Sequence, residues 1–280
     1  MKITLYFGLL IMILASGISQ PYAFMTYNIR LSAANDGENA WEHRKEGLVN
    51  QIRFHEPDVF GIQEGLPDQV AYLEQNLDAY SYYGVGRDDG KEKGEFSALY
   101  FKKDKFKVLK KHTFWLSETP DKPSKGWDAA LPRICTYVLL EDKITEDRFW
   151  VFNTHFDHVG KIARKNAVTL ILNKIDEFNT DGLPVILMGD LNLTPETEPI
   201  RNLFNSMNDS RVITKDPPFG PVGTWNGFDY KSELSRRIDY IAVSRGNVQV
   251  NKYAVLSESR DHKFYSDHLP VYVEVIFTGE

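Results

Sequence analysis

Many short apolar strand patterns, interspersed with a few amphipathic helices, predict an α/β fold in which two sheets pack face to face with helices outside. Three observations carry that expectation. Short apolar runs recur along the whole chain, each bounded by Gly, Pro, Asn or Asp. Helical periodicity appears at separated places, most clearly over residues 161–178, where Ala163, Ala167, Leu170, Ile171, Ile175 and Phe178 recur at helical spacing. No internal repeat, low-complexity tract or interior linker interrupts the pattern, so one domain is expected over residues 18–280.

In order, residues 23–31 read as the first strand and carry Asn28 and Arg30. Residues 41–54 read as a helix, with Trp41, Leu48, Val49 and Ile52 as its apolar positions. A buried strand over 58–63 ends on Glu64, and 67–77 is helical with Val70, Leu73 and Leu77 on one face. Residues 79–85, 96–101 and 106–116 are aromatic and β-rich, with a polar loop over 86–94. The run 117–130, with two Pro, one Gly and several charges, reads as a long surface loop. Strand patterns return at 133–140 and 149–155, and the long helix follows. The stretch LPVILMGDLNLTP over 183–195 places an apolar run before Gly189, Asp190 and Asn192. A buried strand there delivers a carboxylate and an amide at its C-terminal end, on one face if the strand continues. A short helix near 199–205, a Pro/Gly-rich loop over 216–227, and strands at 237–243, 248–256 and 271–277 complete the chain.

Of 280 residues, 42% are hydrophobic, 13% aromatic and 26% charged, which supports a substantial core. The net charge of −6, without a long basic run, argues against sequence-independent gripping of a nucleic-acid backbone. It leaves room for a small phosphoester or a short single strand. Lys2, the apolar stretch 3–14 and Ala15-Ser16-Gly17 have the layout of a secretory signal peptide over residues 1–17. Export to a periplasmic or extracellular location is therefore expected, with no membrane span in the mature form and no obligate protein partner. The one cysteine, Cys135, lies inside an apolar run and is expected in the core.

Polar residues stand at the ends of several apolar strands: Asn28 in TYNIR, Glu64 in IQE, His155 in NTH, Asp190 and Asn192 in GDLN, Asp239 in RIDYI, and Asp267 with His268 in SDHLP. Singly, each has an ordinary reading as a solvated carboxylate, a turn or a structural histidine. Together they are rich in Asp, Glu, Asn and His and poor in Ser or Cys nucleophiles.

This ordered set resembles the endonuclease/exonuclease/phosphatase superfamily of metal-dependent phosphoesterases, which includes deoxyribonuclease I. The resemblance spans essentially the whole mature chain and implies a four-layer α-β-β-α sandwich, two mixed sheets flanked by helices. It implies Glu64 as principal ligand of Mg²⁺ or Mn²⁺, with Asn28 close by and Asp267 as an additional ligand. Asp190, helped by Asn192, would orient or deprotonate the attacking water. His268 would contact the scissile phosphate, held in its tautomer by Asp239. His155 would be a second such group, with Glu95 where its carboxylate partner falls. Arg133 is a candidate phosphate clamp, since a guanidinium binds two oxygens at once; a surface Arg beside a proline is the alternative.

Three positions depart from relatives. Arg30 stands where abasic-site enzymes carry an acid, Leu66 stands where deoxyribonuclease I has a DNA-contacting arginine, and no cysteine lies near Arg237 as it does in inositol-polyphosphate phosphatases. Trp41, Trp115, Trp127 and Trp225 lie in or beside loops where their rings could stack on a base or sugar. The expected function is an exported, divalent-metal-dependent phosphoesterase that hydrolyses a phosphodiester or phosphomonoester by direct water attack. An endonuclease or exonuclease on single strands, and an inactive phosphate-binding protein on the same fold, are the alternatives.

Overall fold

The structure, a computed structural model, describes residues 21–278; the leader-like segment 1–17 lies outside the described residues. No helix among the described residues is long and apolar enough to cross a membrane. Twelve strands are present among the described residues: β1 (Tyr22–Asn28), β2 (Val59–Gln63), β3 (Tyr80–Tyr83), β4 (Leu99–Lys102), β5 (Phe106–Trp115), β6 (Ile134–Asp142), β7 (Arg148–His155), β8 (Val185–Asp190), β9 (Asn208–Asp209), β10 (Asp239–Val243), β11 (Val248–Val255) and β12 (Val271–Phe277). Among the described residues, five α-helices, α1 (Trp41–His55), α2 (Pro67–Asn76), α3 (Lys161–Phe178), α4 (Glu198–Ser206) and the short α5 (Ser210–Ile213), and one 3-10 turn (Gly37–Asn39) join them. The strands form two mixed six-stranded sheets, ordered β11-β12-β1-β2-β4-β3 and β5-β6-β7-β8-β10-β9.

Strand periodicity assigns the layers. In β1, Tyr22 and Phe24 point to the core between the sheets, while Met25 and Tyr27 point outward to Leu48 and Ile52 of α1 and Leu73 of α2. In β8, Ile186 and Met188 face the inner core, and Val185 and Leu187 face Ile171 and Ile175 of α3 and Ile200 of α4. Helices therefore cover both outer faces, giving the four-layer sandwich that the motifs implied. Cys135 is fully buried and unpaired.

Several boundaries differ from the sequence reading. β1 stops at Asn28 because Arg30 adopts a left-handed φ of 54°. β10 starts at Asp239, two residues late, because Arg237 is drawn into a buried pair with Asp209. β4 is only Leu99–Lys102, and the aromatic run at 79–85 shortens to Tyr80–Tyr83. β9 and α5 are too short to leave a periodic signal.

The inner face changes character along its length. Below lie apolar side chains; above them, Thr26, Gln63 and Asn153 form a buried polar belt that ties the sheets together. Asn153 Nδ2 donates to Ile62 O at 2.9 Å and Ala98 O at 3.0 Å, and its Oδ1 accepts from Gln63 Nε2 at 2.6 Å. Gly61 makes room for this amide, since a Cβ there would lie 2.6 Å from Asn153 Cγ. Asn153→Leu leaves buried partners across the sheet interface unsatisfied, at ~1–3 kcal/mol per group. Urea unfolding should show a loss of about 2–4 kcal/mol; a loss near zero would mean that the belt is not what joins the sheets.

Candidate active site

The same periodicity carries the functional side chains. Asn28, His155, Asp190 and Asp239 share strand parity with the inward-facing core residues Phe24, Val151, Met188 and Ile241, so all four stand on the inner faces. The parallel pairs β1/β2 and β7/β8 place Asn28 opposite Gln63 and His155 opposite Asp190. Antiparallel β10 sets Asp239 opposite Asp190. Residues scattered over the sequence thus meet at one end of the sandwich.

Asp190 is the centre, 1% exposed. Its Oδ1 accepts from Asn192 N at 2.9 Å, which fixes the carboxylate. Its Oδ2 lies 3.0 Å from Asn28 Nδ2, 3.4 Å from His155 Nε2 and 3.8 Å from His268 Nε2. Gly189, at φ 146°, carries the strand into this end, where a Cβ would strike Thr154 O. The strand does not continue to Asn192: that residue is left-handed, φ 49°, and its amide folds back to donate to Phe156 O while lying 3.1 Å from His155 Nε2. Burial first, and the charge of Asp239 second, push the Asp190 carboxyl up to about 7, with His268 pulling the other way.

On one flank, His268 Nδ1 is 2.9 Å from Asp239 Oδ2, and that oxygen also accepts from Thr224 Oγ1 at 2.5 Å. Burial opposes charge on this ring, but Asp239 and Asp190 outweigh it and raise the His268 pKa well above its usual value. The pair is the carboxylate–imidazole arrangement that the motifs implied.

The other flank is different. Glu95 Oε2 lies 3.9 Å from His155 Nδ1, beyond hydrogen-bond reach, and is taken instead by Arg87 Nη1 at 2.6 Å. Arg133 Nη1 fills the gap at 3.1 Å from His155 Nδ1, and its Nη2 is 3.0 Å from His158 Nδ1. A guanidinium only donates, so Nδ1 accepts and the His155 ring is neutral, with its proton on Nε2 toward Asp190. Burial, then the charges of Arg133 and Arg87, hold His155 well below its usual range. The carboxylate-backed, charged His155 of the sequence reading is therefore replaced by an arginine-backed, neutral one. Arg133 is 5% exposed, which removes the surface alternative for it.

For a metal, the donor atoms of Glu64, His155 and Asp190 lie within 4.8 Å of one another, as do those of Asp190, Asp239 and His268. The carboxylate oxygens of these clusters suit a hard divalent cation. The buried Asp239 Oδ1 has no partner, and Asp190 and Asp239 face each other across the strand pair, so carboxylate oxygens outnumber the one charged imidazole among them. Glu64, itself left-handed at φ 62°, accepts from Asn28 Nδ2 at 3.0 Å. The Asn28 oxygen accepts from Arg30 N, so its NH₂ rather than its oxygen faces the two carboxylates. Asp267 stands back from these groups, with Oδ2 3.7 Å from Arg30 Nη1. Glu64, with Asp190 beside it, is the residue that would hold the ion; His155, with Nδ1 accepting from Arg133 and the proton on Nε2, has no lone pair to offer it.

Thr224, Arg87 and His158 belong to the site but stand in loops without periodic signal, although the sequence FDH beside NTH marks His158. Trp41 and Trp115 are buried in packing, and Trp115 Nε1 donates to Arg87 O at 2.7 Å, so neither rims the site. Trp127 and Trp225 are partly exposed, and Trp225 bridges to His268.

A four-layer sandwich with carboxylates and two imidazoles gathered at one end of its sheets defines a hydrolase fold for phosphoesters. The chain belongs to the endonuclease/exonuclease/phosphatase family, whose model matches residues 25–268. It is similar to an endonuclease/exonuclease/phosphatase family protein from Bacteroides thetaiotaomicron, 37% identical, TM-score 0.88, over 93% of this chain and 99% of that one. It is similar also to a mannosyl-6-phosphatase from the same organism, 38% identical, TM-score 0.87, over 91% of this chain and 100% of that one. Among curated proteins, the Ccr4 3'-5'-exoribonuclease subunit of the CCR4-Not complex of Emericella nidulans is 33% identical over 86% of this chain and 48% of the relative. The chain spans about half the length of the curated relatives it matches.

Proposed function

We propose that this protein is an exported phosphoesterase that uses a divalent cation, Mg²⁺ or Mn²⁺, to hydrolyse a small phosphorylated substrate by direct attack of water. The observation that carries the proposal is Asp190 Oδ2, fixed between Asn28, His155 and His268 with Glu64 beside it. The mannosyl-6-phosphatase relative, matched over its full length, supports a phosphorylated sugar or similar small molecule. Export rests on the leader-like residues 1–17.

Asp190 orients the attacking water and takes its proton, because one oxygen is locked by Asn192 N and the other faces the site. His268, kept charged by Asp239, donates to a phosphoryl oxygen. His155, neutral with its proton on Nε2, offers a hydrogen bond without competing for a cation. A divalent ion on Glu64 would neutralise phosphoryl charge and lower the pKa of bound water.

A panel of sugar phosphates, nucleotides, aryl phosphates and oligonucleotides, assayed with Mn²⁺ and with chelator, tests the reading. Hydrolysis that needs the ion is expected; activity that survives chelation overturns the metal's role, and no hydrolysis of any phosphoester overturns the function. Glu64→Gln should weaken Mn²⁺ binding about tenfold or more in calorimetry, and unchanged affinity would remove Glu64 as ligand.

A further inference from the structure

Asp157 stands two residues after His155 in the sequence NTHFDH and is 2% exposed. Both of its oxygens are filled by backbone. Oδ1 accepts from Val159 N at 2.9 Å and Gly160 N at 2.7 Å, and Oδ2 accepts from Ala130 N at 3.0 Å and Leu131 N at 3.3 Å. One carboxylate thereby joins two segments, the turn from β7 into α3 and the end of the long loop between β5 and β6. The same segments meet a second time, where Asp128 of the loop caps α3 by accepting from Ala163 N at 2.7 Å and Ile162 N at 3.2 Å. What the Asp157 join delivers is Arg133, two residues past Leu131. Its Nε lies 3.5 Å from Asp157 Oδ2, its Nη1 3.1 Å from His155 Nδ1 and its Nη2 3.0 Å from His158 Nδ1. Asp157 is both the counter-charge of this buried guanidinium and the anchor of the backbone that carries it. Glu95 competes for it, with Oε2 3.9 Å from Arg133 Nη1 and 3.9 Å from His155 Nδ1. Were Arg133 to turn to Glu95, His155 Nδ1 would lose its donor, and a neutral imidazole without one carries its proton on either nitrogen.

We propose that Asp157 is a positioning residue of the site: it holds Arg133 against His155 Nδ1 and so keeps the His155 proton on Nε2, aimed at Asp190. The inference rests on the phosphoesterase reading, in which His155 serves as a hydrogen-bond donor. Asparagine cannot replace Asp157 in this role. Its amide oxygen would accept on one side only, and its NH₂ would face two N–H groups on the other. The negative charge beside Arg133 Nε would also be gone, leaving Glu95 as the stronger attraction for the guanidinium.

Long-range proton–nitrogen NMR of the full chain with Mg²⁺ reads the tautomer, the His155 signals being identified by their loss in His155→Gln. Wild type should show a neutral ring protonated on Nε2; a charged ring, or one protonated on Nδ1, overturns the proposal without any variant. In Asp157→Asn the single tautomer should give way to a mixture or to the Nδ1-protonated ring. Asp128→Ala frees the same loop from α3 but leaves the Asp157 bonds in place, and should keep the wild-type tautomer. If Asp157→Asn lowers the thermal midpoint with the tautomer unmoved, its role is structural alone. If Asp128→Ala disturbs the tautomer as much, the effect belongs to the loop as a whole. Either result overturns the proposal. With Mn²⁺ and 4-nitrophenyl phosphate, Asp157→Asn should lower kcat about tenfold or more, with a smaller change in KM; kcat unchanged beside an altered tautomer overturns the positioning role. A wild type that hydrolyses no phosphoester, yet shows the tautomer's dependence on Asp157, supports the assignment and fails the phosphoesterase reading alone. If Asp157→Asn has lost its fold, Asp157→Ser replaces it, since the hydroxyl still accepts from Val159 N or Gly160 N.

Discussion

Asp190→Asn is expected to abolish hydrolysis, by about 10³-fold or more in kcat, while raising the thermal midpoint of the metal-free protein. The two effects have one cause. Asp190 and Asp239 face each other in register across β8 and β10, both 1% exposed, and like charges directly opposite are destabilising. Burial and Asp239 raise the folded Asp190 pKa to about 7, above its unfolded value. A carboxyl with a raised folded pKa opposes folding as pH climbs past the unfolded pKa, and the full penalty is present above about 7. Asparagine keeps the shape, accepts from Asn192 N and carries no charge, which removes the repulsion while giving up the bond from Asn28 Nδ2. With chelator, the midpoint of the variant should exceed that of wild type at pH 8, and the difference should shrink as pH falls and vanish below about pH 3, where Asp190 is protonated in both states. With Mn²⁺ the order should reverse, because wild type alone gains the full binding energy of the ion. Retained turnover, or a variant less stable than wild type at pH 8 with chelator, would remove Asp190 from the centre of the site.

The strand ends were the legible part of this site. In NTH and GDLN an apolar run stops at a polar residue, in RIDYI one starts from it, and the period of two carries that residue to the inner face with the hydrophobics of its strand. His155, Asp190 and Asp239 follow from that rule alone. What the alternation does not encode is the conformation of the residue after the strand. Asn192 and Glu64 turn left-handed, so Asn192 reaches His155 by folding back rather than by strand extension. Nor does a local pattern say which carboxylate a histidine will meet. Glu95 and His155 are sixty residues apart in sequence, and the outcome is decided by Arg87 and Arg133, whose loops have no periodicity to place them. Thr224, which anchors Asp239, is silent for the same reason. Gln63 and Asn153 were visible within the motifs IQE and NTH, but as inner-face residues below the site their work is to join the sheets, leaving the polar chemistry to the next residues along.

Asp239→Asn should lower kcat/KM by about 10²–10⁴-fold, through His268 rather than through any contact of its own with substrate. Asp239 Oδ2 holds His268 Nδ1 at 2.9 Å and is itself fixed by Thr224 Oγ1, so the ring is aimed and kept charged by one carboxylate. Burial alone would lower the His268 pKa; Asp239 and then Asp190 reverse that and raise it well above the usual value. The sign for the rate follows. If the charged ring donates to a phosphoryl oxygen, activity persists through neutral pH and falls only as pH rises through the raised pKa. Without Asp239, burial regains control, the ring loses its proton at lower pH, and the alkaline limb moves toward acid. Stability has the same direction: the contribution of charged His268 is complete below the unfolded histidine pKa and is lost as pH rises through the folded one. Kinetic profiles and the proton NMR titration of His268 in wild type and variant measure both. A variant that loses activity with its alkaline limb and its His268 titration unmoved would mean that Asp239 shapes the pocket without governing the imidazole, and the acid would have to be sought elsewhere, with Thr224→Val as the next substitution to separate the anchor from the charge.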